Sequence, residues 1–111
     1  MPARAPMSES VPPNQSPLAV SAEVLARARS LPGWQVCADM ELHKSWPFLD
    51  FSAGLAFVNQ IAELAELAQH HPDVLLRYGS VSVTLTTHDA GGLTVRDLTL
   101  AAAIDALRVR E

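Results

Sequence analysis

The sequence predicts an α+β domain in which a four-stranded antiparallel sheet is covered by helices on one face, with elements in the order α-β-β-α-β-β-α. Hydrophobic residues recur with helical spacing in some segments and alternate with polar residues in others, and the strand-like segments come in pairs between the helical ones. Strand pairs followed by helices are typical of α+β domains. A chain of 111 residues with 49% hydrophobic side chains can form a single core.

The N-terminal segment differs in composition from the rest of the chain. Five of the eight prolines lie within residues 1–19, among serine, asparagine and glutamine. Such a segment cannot bury enough apolar surface to offset the entropy lost on ordering. We therefore expect a disordered tail over residues 1–19 and a folded domain over residues 20–111.

The first helix and the first strand pair follow this tail. Ser21 is a suitable N-cap, and Pro32 and Gly33 interrupt the helical pattern. From Trp34 onward the hydrophobic period changes to two, which predicts two paired strands that end near Pro47.

The second helix has the clearest helical pattern in the sequence. It begins at a cap, Asp50 or Ser52, and Pro72 forces its end, because proline disfavours the helical region for the residue before it. His70 is then expected in the last turn and His71 at the exit. The hydrophobic stripe of this helix consists of Phe57, Ile61, Leu64 and Ala68.

The second strand pair and the last helix complete the domain. The stretch VLLRYGSVSVTLTTH predicts two strands separated near Gly79, with the polar residues up to His88 on one face of the second strand. The glycines of DAGG favour a turn. Thr94 and Asp97 then have the spacing of a capping box that opens the last helix.

Charge and composition argue against several classes of protein. A net charge of -4 is unfavourable for binding the phosphates of DNA or RNA, so no nucleic-acid partner is expected. No apolar segment is close to the length of about 20 residues that a membrane span requires, so we expect no membrane contact. The N-terminus also lacks the apolar stretch of a secretory signal, so we expect a cytoplasmic location. The lone Cys37 is expected to be a buried, inert thiol.

The adjacent histidines at the predicted end of the second helix are candidates for a site. Glu66 lies four residues before His70 and can hydrogen-bond to it, and the negative end of the helix dipole favours a protonated imidazole there, so His70 is suited to donate a proton. His71 must point elsewhere, and His88 comes from a different part of the fold. Alternatively, Glu66 and these three histidines could be ordinary surface residues, and Asp97 could be only the capping carboxylate of the last helix.

A zinc site is a third interpretation, because three protein ligands suit a catalytic zinc. Adjacent histidines seldom bind one ion, however, and the cysteine is far away in sequence, so no metal is expected.

The spacing of these residues closely resembles the pattern of the pterin-4a-carbinolamine dehydratase family. The resemblance runs from about Ser21 to the C-terminus and includes the segments PGW, DFSAGLAFVNQIAELAE, HHPD, TTHDAGGLT and RDLTLAAAID. The chain departs from some members at Val74 and Gln69, where these carry an aromatic and an acidic residue. In order, the pattern is Glu66, three residues, His70, His71, Pro72, five residues, Tyr78, nine residues, His88, eight residues and Asp97.

The resemblance implies a reaction and a set of roles. The family dehydrates 4a-hydroxytetrahydrobiopterin to quinonoid dihydropterin, a step of tetrahydrobiopterin recycling after aromatic amino acid hydroxylases, and needs no metal or redox cofactor. The catalytic set would be His70 and His88 as acid and base and His71 as the residue that holds the substrate. The remaining implied site residues are Gln69, Thr86, Thr87 and Asp89 in contact with the pterin, and Glu66 and Asp97 in support.

The resemblance also implies an alternative function and an oligomeric state. Some relatives act as transcriptional cofactors or assembly chaperones, so a non-catalytic binding module of the same fold is the second hypothesis. A chain kept only for binding has no chemical need for the complete histidine set, which favours the enzyme. Family members assemble as dimers or tetramers, and we expect a dimer.

Overall fold

The computed structural model describes residues 21–107, and its element order confirms the predicted one. The predicted disordered tail, residues 1–19, lies outside the described residues. The elements are α1 (Ala22–Arg29), β1 (Gln35–Cys37), β2 (Glu41–Pro47), α2 (Phe51–Ala68), β3 (Asp73–Arg77), β4 (Ser80–Leu85), a short 3-10 helix (His88–Ala90) and α3 (Val95–Asp105).

The four strands form one antiparallel sheet, as predicted, and their spatial order is β1-β2-β4-β3. In the central strand β4, Val81, Val83 and Leu85 are completely buried, because the two-residue period of a strand places all three on the face that the helices cover. The other face is polar: Ser45 and Ser82 stand opposite each other on β2 and β4, and their hydroxyls lie 2.7 Å apart.

Helix α2 packs on this sheet and carries the chain toward the predicted site. Asp50 caps it by accepting a hydrogen bond from the backbone N–H of Ala53 at 2.9 Å, as expected. Its buried stripe is Gly54, Phe57, Ile61 and Ala65. The predicted end of the stripe was wrong, because the helix turns Ala65 toward the core and leaves Leu64 half-buried and Ala68 exposed.

Helix α3 is tied to the sheet at its C-terminal end. The carboxylate of Asp105 accepts a hydrogen bond from Trp34 Nε1 at 2.9 Å and another from Lys44 Nζ at 2.8 Å. No helix within residues 21–107 is both long enough and apolar enough to cross a membrane.

Cys37 is half-buried, so its predicted full burial was wrong. It belongs to a three-residue edge strand, and its neighbour Val36 stands opposite the completely buried Leu42. Successive side chains of a strand point to opposite faces, so Cys37 lies on the open, polar face of the sheet.

Candidate functional site

The two histidine-bearing segments meet at one end of the sheet. Strand β3 begins directly after the exit of α2, and it runs antiparallel to β4 with Asp73 opposite Thr84. The end of β4 therefore lies beside the start of β3, which brings residues 86–88 close to residues 70–72. Antiparallel pairing thus joins two segments that are well separated along the chain.

Helix α2 ends in a left-handed turn that redirects the chain toward the interior. Gln69 adopts φ 53° and ψ 40°. Its N–H donates to the carbonyl of Glu66 at 3.3 Å, and the N–H of His70 donates to the carbonyl of Ala65 at 3.1 Å, which is the Schellman pattern of a helix C-terminus. His70 therefore lies just beyond the helix, and its predicted place in the last turn was wrong.

The ring of His70 is buried and paired with Asp97. Only 7% of His70 is exposed, Asp97 is completely buried, and His70 Nε2 lies 2.6 Å from Asp97 Oδ1. An ionised carboxylate has no proton to give, so Nε2 carries the hydrogen and donates it. Nδ1 is then the ring nitrogen of His70 that remains outside this pair.

The second oxygen of Asp97 connects His70 to the end of β4 and the start of α3. Asp97 Oδ2 accepts hydrogen bonds from the hydroxyl of Thr87 at 2.7 Å and from the backbone N–H of Thr94 at 2.9 Å. The latter belongs to the predicted capping box, which the structure confirms. The positive end of the α3 dipole favours the negative charge of Asp97, which therefore bridges both segments of the site.

Glu66 pairs with His71, and the predicted Glu66–His70 pair was wrong. His71 Nε2 lies 2.8 Å from Glu66 Oε2, and both side chains are more than half exposed. The expected spacing of four residues applies only while the chain remains helical. Because the left-handed Gln69 swings His70 inward, the next residue, His71, takes the position near Glu66.

His88 is exposed and begins the 3-10 helix, so its predicted place on the polar face of the strand was wrong. Strand β4 already ends at Leu85. Asp89 follows in the same 3-10 helix and is exposed as well. Half-buried Thr86 donates its hydroxyl hydrogen to the carbonyl of Met40 at 2.7 Å.

Two residues that sequence reasoning did not assign to the site also contact it. The hydroxyl of Thr94 lies 2.8 Å from that of Thr87, and Arg96 Nη2 donates to the carbonyl of Gln69 at 3.3 Å. The capping-box signal identified Thr94 as a cap only. No local signal marks Arg96, because its contact depends on the packing of α3 against the end of α2.

A small apolar groove of about 160 Å³ lies between α2 and β3, and Glu66 and His71 stand at its border. Val74, one of the departures from the family pattern, lines it. The remaining lining residues of the groove are Val58, Ile61, Ala62, Ala65 and Pro72.

Within residues 21–107, no group of three or more histidine, cysteine, aspartate or glutamate side chains is arranged to hold a metal ion.

Comparisons with known proteins show the class to which this fold and site belong. Residues 18–107 match the family model described as pterin 4 alpha carbinolamine dehydratase, and the chain belongs to this family. A relative from Acidobacterium capsulatum, provisionally named pterin-4-alpha-carbinolamine dehydratase, is 56% identical over 73% of this chain and 87% of its own length. A relative from Chloroflexus aggregans with the same provisional name is 45% identical over 78% and 92%.

Solved structures agree with the fold. A transcriptional coactivator/pterin dehydratase from Brucella melitensis superimposes with a TM-score of 0.71 and 35% identity, over 78% of this chain and 95% of the other. A pterin dehydratase-like protein identified as a RuBisCO assembly factor in the alpha-carboxysome matches with a TM-score of 0.54 and 26% identity, over 66% and 83%. The fold is therefore shared by proteins that are described with different roles.

Proposed function

We propose that the chain dehydrates 4a-hydroxytetrahydrobiopterin, the pterin-4a-carbinolamine, to quinonoid dihydropterin by histidine acid/base catalysis. The observation that carries this proposal is the buried hydrogen bond between His70 and Asp97. Burying an ionisable pair costs free energy of desolvation, and the capping of α3 by Asp97 does not require the ring of His70. An oriented imidazole with one nitrogen held by a carboxylate is instead an arrangement suited to proton transfer.

The reaction needs one proton delivered and one removed. The bond between C4a and its hydroxyl oxygen breaks, and the oxygen leaves as water after taking a proton from an imidazolium. The adjacent ring nitrogen N5 gives its proton to a neutral imidazole, and the electron pair of that N–H bond forms the C4a=N5 double bond of the product. Histidine suits both tasks, because its unperturbed titration lies near neutrality.

The proposed roles are those that the family resemblance implies. His70 and His88 act as the acid/base pair, one from the buried network and one from the exposed 3-10 helix. His71, held by Glu66, contacts the pterin and positions it. The other proposed pterin contacts are Gln69, Thr86 and Asp89.

The direct test is the rate at which the purified chain consumes freshly generated 4a-carbinolamine. We expect turnover far above the uncatalysed dehydration, whereas an equal rate would contradict the enzyme and favour a binding module. That second candidate is supported by the two structural relatives, which are described as a transcriptional coactivator/pterin dehydratase and a RuBisCO assembly factor. If the proposed enzymatic activity is correct, an aromatic amino acid hydroxylase in the cytoplasm would supply the substrate.

We also propose that the chain forms a homodimer, with a tetramer as the alternative. Strand β3 lies at an edge of the sheet, where Leu75 is 54% exposed, and Tyr78, which follows the strand, is 70% exposed. Exposed apolar edge strands tend to pair with other chains. Light scattering at micromolar concentration should give a dimer mass, and Leu75→Lys should lower it toward the monomer. A monomeric mass for the parent chain would refute the proposal.

A further inference from the structure

From the hydrogen bonds around Asp97 we infer that Thr87 and Thr94 are positioning residues for His70. They orient the carboxylate of Asp97 so that His70 keeps its hydrogen on Nε2 and exchanges protons with the substrate through Nδ1. This inference rests on the proposed dehydratase function and deepens it. It also gives Thr87 a different role from the pterin contact that the family resemblance implies.

The direction of each hydrogen bond in this network follows from the number of hydrogens that each group can donate. Thr87 has one hydroxyl hydrogen, and it goes to Asp97 Oδ2, since the carboxylate can only accept. The 2.8 Å contact between the two hydroxyls therefore has Thr94 as donor and Thr87 as acceptor. Thr94 Oγ1 in turn accepts from the backbone N–H of Arg96 at 3.2 Å. The chain of donors runs in one direction and ends on Asp97.

Thr87 is buried, and its polar groups already have internal partners. It is only 3% exposed, its N–H donates to the carbonyl of Gly92 at 3.1 Å, and its own carbonyl accepts from the N–H of Gly92 at 3.3 Å. Its hydroxyl lies between Asp97 and Thr94. Because Thr87 is almost completely buried, a pterin is poorly placed to reach the remaining lone pair of its hydroxyl, so a positioning role fits the geometry better.

The consequence for His70 is a defined orientation and a defined tautomer. Asp97 Oδ2 holds two donors, from Thr87 and Thr94, so the carboxylate cannot rotate without losing both. Oδ1 is thereby kept toward His70 Nε2. Nδ1 is the only ring nitrogen of His70 available as a base when the ring is neutral, or as an acid when the ring is protonated.

The test combines the kinetics of variants with NMR spectroscopy of the His70 ring. Thr87→Val removes the hydroxyl and keeps the shape, and should lower kcat about tenfold, the size of one lost hydrogen bond to a charged group, with little change in KM. Thr87→Ser restores a hydroxyl and should restore most of kcat. In a His70→Ala background, Thr87→Val should add almost nothing, because Thr87 acts through His70.

A matched control comes from strand β4, which ends two residues before Thr87. Thr84→Val also removes a hydroxyl, one that lies 3.3 Å from His43 Nδ1 on the open face of the sheet. It should leave kcat and KM at the parent values. A raised KM with unchanged kcat in Thr87→Val would identify Thr87 as a substrate contact and overturn the inference.

Nitrogen-15 NMR of histidine-labelled parent chain tests the tautomer without any variant and without any activity. The neutral ring of His70 should show a protonated Nε2 and a bare Nδ1, and a hydrogen on Nδ1 would refute the inference even if every variant failed to fold. If the parent chain proved inactive on the carbinolamine, the proposed function would fail, while the spectrum would still decide whether the network sets the tautomer.

Discussion

Asp97→Asn should produce a folded chain whose dehydration rate is about 10³-fold or more below that of the parent. The amide oxygen of the new side chain must replace Oδ2, where the hydroxyl of Thr87 and the N–H of Thr94 both donate. The amide NH₂ then faces His70 Nε2, and since it can only donate, it forces the ring to carry its hydrogen on Nδ1. A wrong histidine tautomer of this kind costs about 10⁴ in the serine protease triad.

The measurement is kcat for the 4a-carbinolamine, with the tautomer of His70 followed by nitrogen-15 NMR. The capping box retains an oxygen acceptor, so the loss of stability should be only about 1 kcal/mol, and circular dichroism should show an intact fold. Asp105→Asn is the matched control, because Asp105 also accepts two hydrogen bonds on α3 but lies at the other end of the helix. Asp97→Asn with a rate within tenfold of the parent would show that the carboxylate does not orient His70.

Removing both proposed acid/base histidines should abolish most of the rate enhancement. His70→Ala and His88→Ala should each lower kcat by about 10² or more, the usual size of a lost general acid or base. His71→Ala should mainly raise KM, since its proposed role is to hold the pterin. The double variant His70→Ala/His88→Ala should be no faster than the slower single variant.

The buried position of His70 calls for a companion variant. His70→Ala leaves a buried oxygen of Asp97 without its partner, which costs about 1–3 kcal/mol. His70→Gln keeps an N–H group that can reach Asp97 while removing the titrating ring, so it should preserve more stability and still lose activity.

His43→Ala serves as the histidine control, because His43 lies on the open face of the sheet beside Thr84. It should behave like the parent chain. If the double variant dehydrated the substrate as fast as the parent, the histidines would be bystanders and the binding-module hypothesis would replace the enzyme.

Local sequence signals determined the elements of this fold. The change of hydrophobic period near Trp34, the cap at Asp50 and the capping box of Thr94 and Asp97 each reflect interactions within a few residues, and the structure contains all of them. Such signals are reliable because the backbone geometry of a helix or strand fixes which neighbours can meet. The spacing of the histidines likewise indicates the family, because it is a property of the sequence alone.

The partners of the site residues were decided only by the tertiary structure. The sequence places Glu66 at helical distance from His70, but the left-handed Gln69 ends the helix and turns His70 to Asp97, which lies 27 residues further along the chain. Local spacing cannot reveal such a pair, because it forms only when α3 packs against the exit of α2. The sequence alone therefore supplied candidate residues for the site, while the packing of elements distant in the chain decided which carboxylate His70 and His71 each meet.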